Sequence, residues 1–180
     1  MDTSTGLPPA AATDQPRLAR DDVPSIVAPG PWIAVAALAL GLGFDALHAF
    51  SMFTYMPALV CNVAALLLMA AGCWHIVGAA AVFHRTATPF QRWRPARVIA
   101  AQGIYARTRN PVCQGLLILV FGIAVLLRSE GTVLMLMPAA MVMHYGAVLR
   151  EESYLERRFG EAYRQYVAAV PRYGWRLGRR

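Results

Sequence analysis

GIYARTRNPVCQGLLILVFGIAVLL, residues 103–127, joins two kinds of chain with no spacer between them. Its opening carries Tyr105, Arg107, Arg109, Asn110 and Pro111; the remainder, Val112 to Leu127, is almost wholly apolar. Asparagine followed by proline reads as a turn that starts a helix, because proline at a first helical position gives up no hydrogen bond. The arginines read most simply as anchors for lipid phosphate. The stretch therefore predicts a helix that enters a membrane from a basic surface.

The rest of the chain agrees with that reading. It is 57% hydrophobic with mean hydropathy +0.43, too apolar for an ordinary soluble domain and suited to a small integral membrane protein. PWIAVAALALGLGFDALHAFSMF (31–53) is long enough to cross a bilayer, and so is a run from Pro57 to Phe83. After the 112–127 run, Arg128, Ser129, Glu130 and Gly131 form a polar turn and Thr132 to Leu149 returns. The expected fold is all-α and membrane-embedded. It has about four transmembrane helices (31–53, 57–83, 112–127 and 132–149), the last two forming a hairpin. Residues 31–180 form one domain, and residues 1–30, rich in Pro, Ala, Thr and Asp without periodicity, form a disordered tail.

A net charge of +7 raises the possibility of nucleic-acid binding, but its distribution argues against it. Arg85, Arg92, Arg94, Arg97, Arg107 and Arg109 lie between two apolar runs, and a second group, Arg150 to Arg180, follows the last. The positive-inside rule produces that pattern, placing the tail, the 84–111 loop and residues 150–180 in the cytoplasm of a multi-pass membrane protein. All the basic residues are arginine, which reads as genomic base composition. Past Leu149, the spacing of Leu155, Phe159, Tyr163, Tyr166 and Val167 predicts one cytoplasmic amphipathic helix ended by Pro171. Cys61, Cys73 and Cys113 are scattered and imply no disulfide, and no HxxxH, HExxH or CxxC spacing suggests a metal.

Several polar residues sit where ionised groups are costly. Glu151 and Glu152 stand where a span leaves the bilayer; alone, they are read as a helix end paired with Arg150, Arg157 or Arg158. His144 lies one heptad before Glu151 and is the candidate general base, the alternative being a histidine satisfied inside the bundle. Asp45 and His48 are spaced for a hydrogen-bonded pair, functional or merely packing. Asn62 and His75 read as hydrogen-bonding residues between helices.

Taken together, GIYARTRNPVCQG and EESYLERRFGEAYRQY (151–166) carry more than either does alone. They resemble the patterns GxYxxxRxPxYxG and EExxLxxxFGxxYxxY of the isoprenylcysteine carboxyl methyltransferase and phospholipid methyltransferase superfamily. ATPF, before the basic stretch, is similar to that superfamily's TxxxP approach. The resemblance covers about residues 85–175. It implies S-adenosylmethionine as cofactor and methyl donor, held by Arg97, Val98, Ile99 and Ala100, by Tyr105, by Asn110, Pro111, Val112 and Cys113, and by Glu151.

The chemistry of those residues suits such a donor. Carboxylates at Glu151 and Glu152 match its ammonium through charge-assisted hydrogen bonds, and Arg109 or backbone N–H groups match its carboxylate. Tyr105 and the Val98–Ala100 stretch offer surfaces for adenine. The acceptor is expected to be lipophilic or small, arriving from the bilayer. Three departures stand out: Asn110 replaces the usual histidine, Cys113 the usual tyrosine, and Ala147 occupies the place of an arginine that touches a prenylcysteine substrate. The alternatives are a membrane NADPH-dependent reductase of related architecture and a non-catalytic membrane scaffold.

Overall fold

The computed structural model describes residues 27–48, 52–85, 99 and 101–174. Residues 1–26 of the expected disordered tail and half of the basic 84–111 loop, with Arg97, Val98 and Ala100, lie outside the described residues. Among those described, all regular structure is helical: α1 (Gly30–Leu47), α2 (Ala58–Arg85), α3 (Pro111–Leu127), α4 (Glu130–Met143), α5 (Leu149–Phe159) and α6 (Glu161–Ala169). Three helices are long and apolar enough to cross a membrane: α1, α2, and a continuous rod from Glu130 to Phe159. The fourth expected crossing, α3, has 17 residues, about 25 Å at 1.5 Å per residue, slightly less than a hydrocarbon core.

α3 is the centre of the bundle. Pro111 occupies its first turn as the Asn110-Pro111 dipeptide predicts. Small residues let α2 lie almost against it: a Cβ on Gly115 would stand 2.8 Å from the Gly72 carbonyl oxygen. Without a hydrophobic driving force between helices in lipid, such close backbone approach supplies much of their association. On the other side, Cys113 and Val120 of α3 share a core with Ile33, Ala34 and Ala37 of α1 and with Ala139 and Met143 of α4. The hairpin turn between α3 and α4 is closed by Arg128 in the left-handed region (φ 53°) and by Ser129, whose Oγ accepts the Thr132 N–H at 3.1 Å.

Three expectations need correction. The first span ends at Leu47, because His48 is extended and its N–H returns to the Phe44 carbonyl at 3.0 Å. Residues 52–55 form a separate 3-10 turn, anchored where the Phe53 N–H donates to Glu130 Oε1 at 2.9 Å. The last span does not stop at Leu149: it passes through a π-helical turn, His144–Val148, straight into α5. The amphipathic segment is in turn not one helix. Gly160 (φ 53°, ψ −122°) breaks it into α5 and α6 in a backbone conformation that only glycine adopts readily.

Asp45 has a structural explanation. Its Oδ1 accepts the Gly131 N–H at 2.7 Å and its Oδ2 accepts the Ser129 hydroxyl, so the α1 carboxylate caps the positive end of α4. His48 bonds the Phe44 carbonyl at 3.3 Å and stacks on the Phe44 ring. His75 bonds a carbonyl of its own helix, Ala71, at 2.9 Å, and Asn62 is exposed, so neither is seen bridging helices. The packing sorts the connections by end: 52–57 and 128–131 lie at one end of the bundle, while Val27, residues 103–111 and everything beyond His144 lie at the other.

Candidate functional site

At that second end the GIYARTRNP stretch forms a compact turn. Gly103 takes φ 58° to begin a 3-10 turn (Gly103–Ala106), and Tyr105 meets Phe83 of α2 edge to face at 5.6 Å. The segment after α6 then folds back across it. The Arg109 N–H donates to the Pro171 carbonyl at 3.1 Å, the Tyr166 hydroxyl to the Tyr105 carbonyl at 2.8 Å, and Gln114 Nε2 to the Tyr173 carbonyl at 2.9 Å. The buried Thr108 hydroxyl lies 2.6 Å from Gln114 Oε1 and 2.9 Å from the Arg172 carbonyl, its one hydrogen serving either.

Glu152 ties the turn, α5 and this returning segment together. Arg172 approaches it side-on, with Nη2 2.7 Å from Oε2 and Nε 3.0 Å from Oε1. Arg109 comes from the turn, its Nη1 3.0 Å from Oε1, and Asn110 Nδ2 donates to the same oxygen at 3.4 Å. Asn110 stands at the helix N-cap yet makes no capping bond, because its side chain is directed to Glu152. Both charges of the Arg109–Glu152 pair are removed from water, with side chains 9% and 12% exposed. The Arg109–Glu152 contact is ionic rather than a well-aligned hydrogen bond, and Arg109 Nε is a buried donor with no hydrogen-bond partner among the described residues. Glu151, half-buried, lies one residue before this cluster on α5.

The cluster reshapes the titration of its surroundings. Burial, and secondarily the Glu152 charge, pushes the Tyr163 hydroxyl up to about 12. Burial and then Tyr163 push Tyr166 upward as well, and the Glu152 hydrogen bonds hold Arg172 above its ordinary range. Tyrosines here stay neutral donors over any physiological pH.

Two cavities adjoin the turn. One, about 510 Å³, lies between α3 and the α4 rod, bounded by Cys113, Leu117, Met137, Met141, His144 and Tyr173. The other, about 690 Å³, lies between α2 and the turn, bounded by Trp74, His75, Ile104, Arg107 and Thr108. Gln114, Ile118 and Tyr173 line both. Each is of a size that holds a cofactor or a drug-sized molecule. In the first, His144 Nδ1 stands 2.6 Å from the Tyr173 hydroxyl, and the Cys113 side chain is buried. The π turn beginning at His144 leaves the Gly146 carbonyl to accept the Val27 N–H at 3.0 Å. Such wide turns recur at functional sites.

Of the expected cofactor residues, Arg109, Asn110 and Glu152 converge in the ionic cluster, and Tyr105 reaches it through Tyr166, which packs on Tyr163. Pro111, Val112 and Cys113 are buried in the first turn of α3; Ile99 is half-buried. Thr108, Gln114, Arg172 and Tyr173 were not foreseen. The signal for the last two was slight: an arginine and a tyrosine directly after the helix-ending Pro171, in a tail that otherwise reads as surface. Ala147 is fully buried within the π turn. No group of acidic, histidine or cysteine side chains suited to a metal occurs among the described residues.

Residues 60–162 match the family model for Phospholipid methyltransferase. No curated protein and no solved structure matches the chain.

Proposed function

The chain belongs to the phospholipid methyltransferase family, and from that premise we propose that it is an S-adenosylmethionine-dependent membrane enzyme of the isoprenylcysteine carboxyl methyltransferase type, acting on a lipophilic or small acceptor. The supporting observation is the convergence of Arg109 and Asn110 from the turn, and of Arg172 from the returning segment, on Glu152 at one end of the bundle. That end faces the cytoplasm in this reading, and α3 completes a fourth crossing.

The donor's amino-acid end needs an anion for its ammonium and a donor for its carboxylate. The resemblance gives the ammonium to Glu151, the first of the paired acids, and Glu152, which holds Arg109 and Arg172, acts as a positioning residue. The buried Arg109 Nε supplies the unfilled hydrogen-bond donor that the carboxylate requires. By the motif resemblance, Tyr105 and the Val98–Ala100 stretch are assigned to the adenine, and Arg97 and Asn110 to Cys113 to the rest of the donor. When bound, the donor provides an electrophilic methyl group. What the protein contributes is alignment, since in-line displacement at carbon depends chiefly on holding the reacting atoms in place.

Titration calorimetry of the purified protein tests this. S-adenosylhomocysteine should bind, and NADPH should not; binding of NADPH alone would identify a reductase, and binding of neither a scaffold. Glu151→Gln should weaken S-adenosylhomocysteine by roughly 1.5–3 kcal/mol, the worth of a hydrogen bond to a charged group. Unchanged affinity in a folded variant would refute the placement.

A further inference from the structure

The cavity between α3 and the α4 rod has a chemistry of its own. Its apolar part, formed by Leu117, Ile118, Met137 and Met141, leads to a polar end made of Cys113, His144 and Tyr173. Met137 is 74% exposed and Met141 56%, so in a bilayer this groove opens sideways to the acyl chains rather than to water. The titratable groups facing His144 are Cys113 from α3, Tyr145 from its own helix and Tyr173 from the returning segment; the described lining holds no side chain with a fixed charge. Ala147, fully buried, adds no cation nearby.

We infer that this groove takes an apolar acceptor ending in a weakly acidic X–H group, a thiol or a phenol, and that His144 removes its proton while Tyr173 holds the imidazole in place. The inference rests on the methyl-transfer reading above. Among the described residues that line the groove, none offers a carboxylate acceptor a cation or an ammonium an anion, so each would give up its hydration there without a charged partner. A neutral X–H group enters without that cost. It is a poor nucleophile until deprotonated, which a carboxylate is not, so a base is required. In the tautomer whose Nδ1–H donates to the Tyr173 oxygen, Nε2 keeps its lone pair. The X–H bond breaks and Nε2 takes the proton. The electron pair of X forms the bond to the methyl carbon, and the methyl–sulfur bond breaks with its pair returning to sulfur, converting the sulfonium to a neutral thioether and leaving an imidazolium.

The test uses the full chain in lipid nanodiscs with methyl-labelled S-adenosylmethionine and four acceptors: decanethiol, octylphenol, decanoic acid and a phosphatidylethanolamine. Label is expected in the thioether or aryl ether. Label in the methyl ester or the methylated amine instead would overturn the inference. His144→Gln should lower kcat on the thiol at least about 100-fold, the usual worth of a general base. Its residual rate should rise only with the thiol's own ionisation, and its affinity for S-adenosylhomocysteine should match the parent's, which shows that it is folded. Tyr173→Phe should shift the pH profile of kcat/KM rather than abolish transfer. Independently of turnover, NMR of protein labelled in its histidine rings should show octylphenol moving the His144 signal, decanoic acid leaving it in place, and Met141→Trp, which fills the groove, blocking the response. A His144 signal indifferent to octylphenol, or a His144→Gln enzyme of normal rate, refutes the inference; failure of S-adenosylhomocysteine to bind refutes the donor reading itself.

Discussion

Replacing Glu152 with glutamine removes one negative charge and leaves the shape of the side chain nearly intact. Arg109, only 9% exposed, then remains a buried cation without its paired carboxylate, whereas Arg172, 34% exposed, can turn to water. Breaking a buried pair from one side costs about 3–5 kcal/mol, and a pairing with a partly exposed arginine adds little because solvent screens it. Glutamine keeps one acceptor oxygen, so the low end, about 3 kcal/mol, is expected. For a chain of this length that lowers the unfolding midpoint by roughly 6–12 °C, measured by thermal unfolding of parent and variant in the same detergent. The double variant Arg109→Met with Glu152→Gln removes both charges and should recover most of the loss, since exchanging a buried pair for apolar groups is often close to neutral. The reasoning fails if Glu152→Gln melts with the parent, or if the double variant melts lower still.

Asp45→Ala should cost about 2 kcal/mol in the same assay, because it removes a helix cap and leaves the Gly131 N–H and Ser129 hydroxyl unmatched. Gly115→Val drives a methyl-bearing carbon into the Gly72 carbonyl and should destabilise by about 1–3 kcal/mol or more, read as a lower midpoint; Gly43→Ala, where a Cβ meets open space, should not. Alkaline stability provides a fourth check. Tyr163 ionises near pH 10 in the unfolded chain and near 12 in the folded one, so the unfolded state sheds its proton first, and stability present below pH 10 is lost as pH rises toward 12. Tyr163→Phe should flatten that part of the curve of midpoint against pH.

The sequence carried the membrane character and the start of α3 plainly, because apolar run length and an Asn-Pro turn are local signals. Local signals also explain the errors. Nothing in PWIAVAALALGLGFDALHAFSMF shows that Asp45 is held by α4, so its apolar run continues unmarked through the point where the helix stops. Periodicity could not reveal the break at Gly160, since Phe159 and Tyr163 keep helical spacing on either side of it. The two motifs were legible and their meeting was expected, but not that Glu152 would be neutralised by two arginines. One of these, Arg172, is remote in sequence; the Thr108 hydroxyl and the Arg109 N–H hold its segment through the backbone carbonyls of Arg172 and Pro171, which no side-chain pattern marks as acceptors. The π turn at His144 left no mark in residue type at all.

The order of assembly follows from where Arg172 and Tyr173 sit. Both come after every apolar helix along the chain, yet Arg172 is fastened to the turn that precedes α3 and Tyr173 to the first turn of α3 itself. Chains emerge from the ribosome N-terminus first. The hydrophobic segments can therefore be integrated into lipid while the pocket is still incomplete, and a nascent protein that has finished insertion must still wait for its tail before it can act.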